Sequence, residues 1–152
     1  MENITTQILN NKVFLPTAAA WFLAQSIKVL LGVIKEKRFN FKWFVGTGGM
    51  PSSHSAWVMA LAVSVGNVLG FDSPAFGIAI AFAFVTMFDA QGVRRATGRQ
   101  AEILNKMAED IYSNKGVQEE KLKELIGHTP IQVFAGAAIG AAVAAVFFRY
   151  LQ

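Results

Sequence analysis

Four long apolar stretches, set apart by polar and turn-forming residues, give this chain its pattern. Val13 to Ile34 is apolar over roughly the 20 residues a helix needs to cross about 30 Å of hydrocarbon. Pro16 falls in its first turn, where a missing N–H costs little. Lys28 lies inside this run, where an ammonium must snorkel, pair or face a polar cavity. Ala56 to Phe71 carries Gly66 and Gly70 at small-residue spacing, Phe71-Asp72-Ser73-Pro74 reads as a tight turn, and Pro74 to Phe88 is apolar again. Both middle stretches are short, so a re-entrant hairpin is an alternative to two spans; extended through Ser53 and Val93 they reach spanning length. Pro130 to Phe148 is the last stretch, and Gly136 and Gly140 in it allow close packing against another helix, within the bundle or in a homo-oligomer.

Between the third and fourth stretches the chain turns polar. Ile103, Leu104, Met107 and Ile111 keep helical spacing, Ser113-Asn114-Lys115-Gly116 breaks it, and Val117 to Ile126 reads as a second short helix. Such amphipathic pieces lie on a membrane surface or pack on a bundle. Residues 1–12 read as a short interfacial helix. The pattern therefore predicts one all-α membrane domain over 1–152, a bundle of about four transmembrane helices near 13–34, 53–71, 74–93 and 130–149. An amphipathic helical segment at 97–126 sits between the third and fourth helices on the cytoplasmic side.

Composition agrees with a membrane protein: 53% of residues are hydrophobic and 16% charged. The absence of cysteine excludes a disulfide framework, a thiolate metal site and a thiol nucleophile. A net charge of +4 suits anionic lipid headgroups or phosphorylated substrates, and cations interleaved with membrane-length apolar runs argue against nucleic acid. With four spans, Lys35, Lys37, Arg38 and Lys42, the Pro51–Ser55 turn, Arg94, Arg95 and His128 share one membrane face. Every Lys and Arg except Lys12 and Arg149 belongs to that face, which the positive-inside rule makes cytoplasmic, with both termini opposite.

The two histidines occupy matching positions, each at the mouth of an apolar stretch. Pro51-Ser52-Ser53-His54-Ser55 has the form of a helix N-cap, and so has Thr129-Pro130-Ile131-Gln132 after His128, a capping box with Pro at the first helical position. Capping accounts for both turns structurally. It leaves unexplained why the two imidazoles share one face with surplus cations. Helix N-termini also attract anions. One histidine can attack phosphorus while the other protonates the leaving alkoxide, with fixed cations and N–H groups holding the equatorial oxygens. The scheme requires neither a metal nor a cofactor. Asp89, followed by Arg94 and Arg95 about 100° apart on a helix, reads either as a stop-transfer cluster or as an anion clamp in which Asp89 orients one arginine.

These residues carry a resemblance. Thr47 to Ser55, Asp89 to Asn105 and Gly127 to Gly136 resemble the divergent branch of the type 2 phosphatidic acid phosphatase family, a grouping related to acid phosphatases and vanadium-dependent haloperoxidases. The likeness covers nearly the whole chain. It implies a helical, metal-free phosphatase of lipid phosphates, with His128 as nucleophile through a phosphohistidine and His54 as acid. Phosphate ligands carried over by position are Lys28 and Lys35, with Lys35 where the family has arginine and Arg38 the nearest guanidinium, and Ser52. Ser53 stands where glycine is usual and adds a hydroxyl. Gln132 replaces the aspartate that orients the nucleophile. The family's Ser-Arg pair is absent, and Arg94 or Arg95, with Asp89 beside them, are its substitutes.

The expected function is hydrolysis of a lipid or isoprenoid phosphate or pyrophosphate at a cytoplasm-facing site in contact with membrane lipids. The alternative is a non-catalytic membrane protein that binds anionic headgroups through the same cations. A transporter is disfavoured because no inverted repeat is visible. Reporter fusions at the two termini test the orientation: both report the non-cytoplasmic side if the site faces the cytoplasm, and cytoplasmic termini would reverse its placement.

Overall fold

A computed structural model describes residues 3–37, 49–112 and 128–150, with the side chains of residues 93–95, 99 and 109–112 outside that description. Its elements are α1 (Ile4–Leu9), α2 (Phe14–Glu36), α3 (Ser53–Leu69), α4 (Pro74–Gln91), α5 (Val93–Tyr112) and α6 (Pro130–Tyr150). Among the described residues there is no strand. The fold is an all-α membrane bundle. Helix α2, the run that begins at Pro74, and α6 are long and apolar enough to cross a membrane; α3, at 17 residues, is a shorter apolar helix.

Local chemistry sets the helix ends. The Asn11 carboxamide oxygen accepts the N–H groups of Val13 and Phe14, both at 2.9 Å, ahead of α2. Ser52 caps α3 by accepting the Ser55 N–H, and Ser73 caps α4 by accepting that of Phe76 with Pro74 behind it. Gly70, at φ +95°, ends α3 in a conformation that side-chain-bearing residues rarely adopt. Its N–H returns to the Gly66 carbonyl and its own carbonyl accepts the Ser73 hydroxyl, closing the α3–α4 hairpin.

Helix α3 lies at the centre, and small residues let its neighbours approach. Gly136 and Gly140 of α6 lie so close to α3 that a Cβ on either would collide with the backbone carbonyl of Ser52 or Ala56. Ala20, Ala60 and Ala144 continue this seam and bring in α2. The pairings advance in step, Ser52 with Gly136, Ala56 with Gly140 and Ala60 with Ala144, so α3 and α6 run parallel. Against α2 the order reverses, Ser53 meeting Lys28 and Ala60 meeting Ala20, so that pair is antiparallel. A second cluster of Val58, Ala83, Met87, Ala90, Val133 and Ala137 joins α3, α4 and α6.

The large apolar side chains point the other way. Phe88 is 78% exposed and Ile78 72%, with Phe22, Phe84, Val85, Ile131 and Phe134 also on the outside. Small residues within and bulky ones without are the reverse of a water-soluble core and the arrangement of helices packed in lipid. Gly136 and Gly140 are thus used inside the chain.

Substitution at the seam tests this packing. Gly136→Ala and Gly140→Ala each place a methyl group against an immovable backbone carbonyl and are expected to destabilise by about 1–3 kcal/mol, read as a lower unfolding temperature in detergent. Gly77 has nothing within 4 Å of its would-be Cβ. Gly77→Ala should be neutral or stabilising by up to about 1 kcal/mol.

Candidate functional site

The parallel seam sets the N-terminus of α3 against the first two turns of α6, which begins about 9 Å beyond it. The Ser52 N–H donates to the Gln132 carbonyl at 3.0 Å, and the His128 N–H donates to the Ala90 carbonyl at 3.1 Å. The turn before α3, the turn before α6 and the end of α4 are thereby tied by backbone hydrogen bonds. Each N-terminus carries roughly half a positive charge, so this end of the bundle favours an anion.

Lys28 enters from α2. It is 8% exposed, and its Nζ donates to Gln25 Oε1 at 3.1 Å and lies 3.5 Å from Ser53 Oγ, at the first residue of α3. Gly49, at φ +84°, passes over the aliphatic stem, where an added Cβ would sit 3.3 Å from Lys28 Cγ. That cover keeps the lysine from snorkelling. Among the described residues no carboxylate pairs with its ammonium. Burying an unpaired charge costs several kcal/mol, so the environment calls for an anion that the protein does not itself provide.

His128 is 4% exposed, immediately ahead of the α6 cap. The capping box is formed: Gln132 N–H meets Thr129 Oγ1 at 3.4 Å and Thr129 N–H donates to Gln132 Oε1 at 3.0 Å. The same Oε1 lies 3.2 Å from His128 Nδ1. A backbone N–H can only donate, so the atom it reaches on Gln132 must be the oxygen. An oxygen facing Nδ1 requires Nδ1 to carry the proton, which leaves the ring lone pair on Nε2. One glutamine thus caps the helix and sets the histidine tautomer.

The structure does not gather every residue singled out in the sequence. Ser53 is brought to Lys28, but Ser52 is turned into the α6 seam, fully buried, its Oγ accepting from the Ser55 N–H and Oγ. Its hydroxyl oxygen serves the cap, a second role beside the phosphate contact that the resemblance implies. Lys35 is exposed, seven residues past Lys28 and about 10 Å further along the helix. His54 is exposed on the first turn of α3, one residue beyond Ser53. Asp89 is half-buried and, with Phe84, Val85 and Phe88, lines a groove of about 460 Å³ on the side of α4 away from Ala83, Met87 and Ala90. Arg94 and Arg95 begin α5, their side chains outside the description, and Arg38 lies outside the described residues. Among the described residues no group of three or more His, Cys, Asp or Glu could hold a metal ion. Gln25 was missed by sequence reasoning, and Gly49 was read only as part of the Thr47–Ser55 motif. The available signal for Gln25 was a polar residue one helical turn before Lys28 in an otherwise apolar run.

The chain is 42% identical over 147 residues to YuiD, an uncharacterised membrane protein of Bacillus subtilis (strain 168), an alignment covering 88% of this chain and 92% of that protein. No solved structure matches it. The family model described as "Divergent PAP2 family" matches residues 9–143. With nearly the full length covered on both counts, the chain belongs to the divergent PAP2 family.

Proposed function

We propose that this protein is a membrane-embedded phosphatase that hydrolyses a lipid or isoprenoid phosphate or pyrophosphate. The observation that carries the reading is the buried Lys28 ammonium, without a carboxylate partner among the described residues, at the N-terminus of α3, whose cap residue Ser52 is bonded to the first turn of α6, the helix that His128 precedes. A phosphate dianion supplies the charge this site lacks. The apolar groove beside Asp89, at the same end of the bundle, supports a substrate with a hydrocarbon chain.

In the proposed reaction His128 Nε2 attacks phosphorus. The P–N bond forms as the P–O bond to the leaving group breaks, and the alkoxide takes its proton from His54. Lys28, Ser53 and the α3 N–H groups hold the phosphoryl oxygens, joined by Arg94 or Arg95 if Asp89 orients them. Water then attacks phosphorus and gives its proton to His54; the P–N bond breaks, releasing inorganic phosphate and restoring His128. Gln132 holds the ring through Nδ1 but, being neutral, offers no charge to an imidazolium. That neutrality favours the second reading, a protein that binds anionic headgroups without turning them over.

Metal-free protein assayed with a panel of lipid and isoprenoid phosphates, beside His128→Ala, separates the two: the variant should release no phosphate, and equal release by both would sink the enzyme. His54→Ala should lose about 10²–10⁴-fold on alkyl phosphates but far less on a nitrophenyl phosphate, whose leaving group needs no acid. Gln132→Leu should cost about 100-fold in kcat through the misplaced imidazole, with Gln132→Glu restoring or exceeding the native rate.

A further inference from the structure

A lysine buried within a helix bundle ordinarily takes a carboxylate partner, because the pair costs less to desolvate than the lone cation. Lys28 has an amide there instead. Gln25, three residues earlier on the same helical face and 3% exposed, accepts from Nζ at 3.1 Å, and Ser53, also 3% exposed, lies at 3.5 Å. An ammonium has three N–H donors; these two contacts take two and leave the third for a ligand. Gly49 holds the stem from above. The side chain is thus fixed along its length and at its tip by groups that are all uncharged.

Glutamate has the shape of glutamine and would be the stronger partner. Placed at position 25, it would form a desolvated ion pair with Lys28 and cancel the charge that faces the N-terminus of α3. We infer that Gln25 is a positioning and specificity-determining residue: a neutral tether that aims the Lys28 ammonium at the phosphate site without discharging it, reserving that charge for a phosphate-class oxyanion. The inference rests on the phosphate reading of the site. It predicts that fold stability and anion affinity move in opposite directions when the tether is charged. A merely structural glutamine predicts that they move together.

The experiment uses the full-length protein in detergent, as wild type, Gln25→Glu and Gln25→Leu. Orthovanadate, a tetrahedral oxyanion of phosphate's charge class, is titrated by ⁵¹V NMR, and thermal unfolding is recorded without anion. Wild type should bind vanadate, displaceable by inorganic phosphate. Gln25→Glu should unfold at a higher temperature than wild type yet bind vanadate about 100-fold more weakly or worse. Gln25→Leu, which leaves the ammonium without its tether, should lose both stability and affinity, the latter about 10-fold. Native-like affinity in Gln25→Glu would overturn the inference while leaving the site reading intact, and so would lower stability in that variant. Wild type that fails to bind vanadate would overturn the site reading and the inference with it.

Discussion

The close approach of α3 and α6 is the constraint on which the rest of the structure depends. Two parallel helices in contact align their dipoles and set like partial charges side by side, an arrangement that disfavours itself electrostatically. The contact survives because Gly136 and Gly140 let α6 rest directly on the carbonyls of Ser52 and Ala56. Dispersion along a backbone-to-backbone seam outweighs the repulsion. One consequence is that both N-termini lie at the same end of the bundle, with Ser52 tied to Gln132.

Lys28 adds to the same imbalance. The described surroundings of its ammonium are Gln25, Ser53 and the backbone cover of Gly49, none of them charged. Each choice leaves positive potential unspent in a place of low dielectric, where it counts for most. His128 is anchored at the same end of the bundle by a backbone bond to Ala90 and oriented by the glutamine that caps α6. Packing, capping and chemistry therefore share residues.

Much of this was legible before the coordinates. Gly136 and Gly140 at four-residue spacing pointed to a close helix contact, and Thr129-Pro130-Ile131-Gln132 to a capping box, because both are local patterns with one geometric solution. The matching places of His54 and His128 drew attention to one end of the bundle. What sequence could not supply was direction. By sequence Lys28 is free to snorkel, pair or face a polar cavity, and the choice lies with Gly49 and Ser53, more than twenty residues away. Ser52 and Ser53 were equivalent as text; a rotation of about 100° between neighbours sends one into the seam and the other to the lysine. Gln25 carried too weak a local signal to stand out from the apolar run.

The central claim is that two helix N-termini at one end of the bundle and an uncompensated buried lysine make an oxyanion site. Its most direct test is the dissociation constant of orthovanadate for wild type and for Lys28→Met, which keeps the aliphatic stem under Gly49 and removes the charge. The account predicts saturable binding by wild type and at least a tenfold weaker constant in the variant, about 1.4 kcal/mol or more. Equal constants, or no binding by either protein, would contradict it.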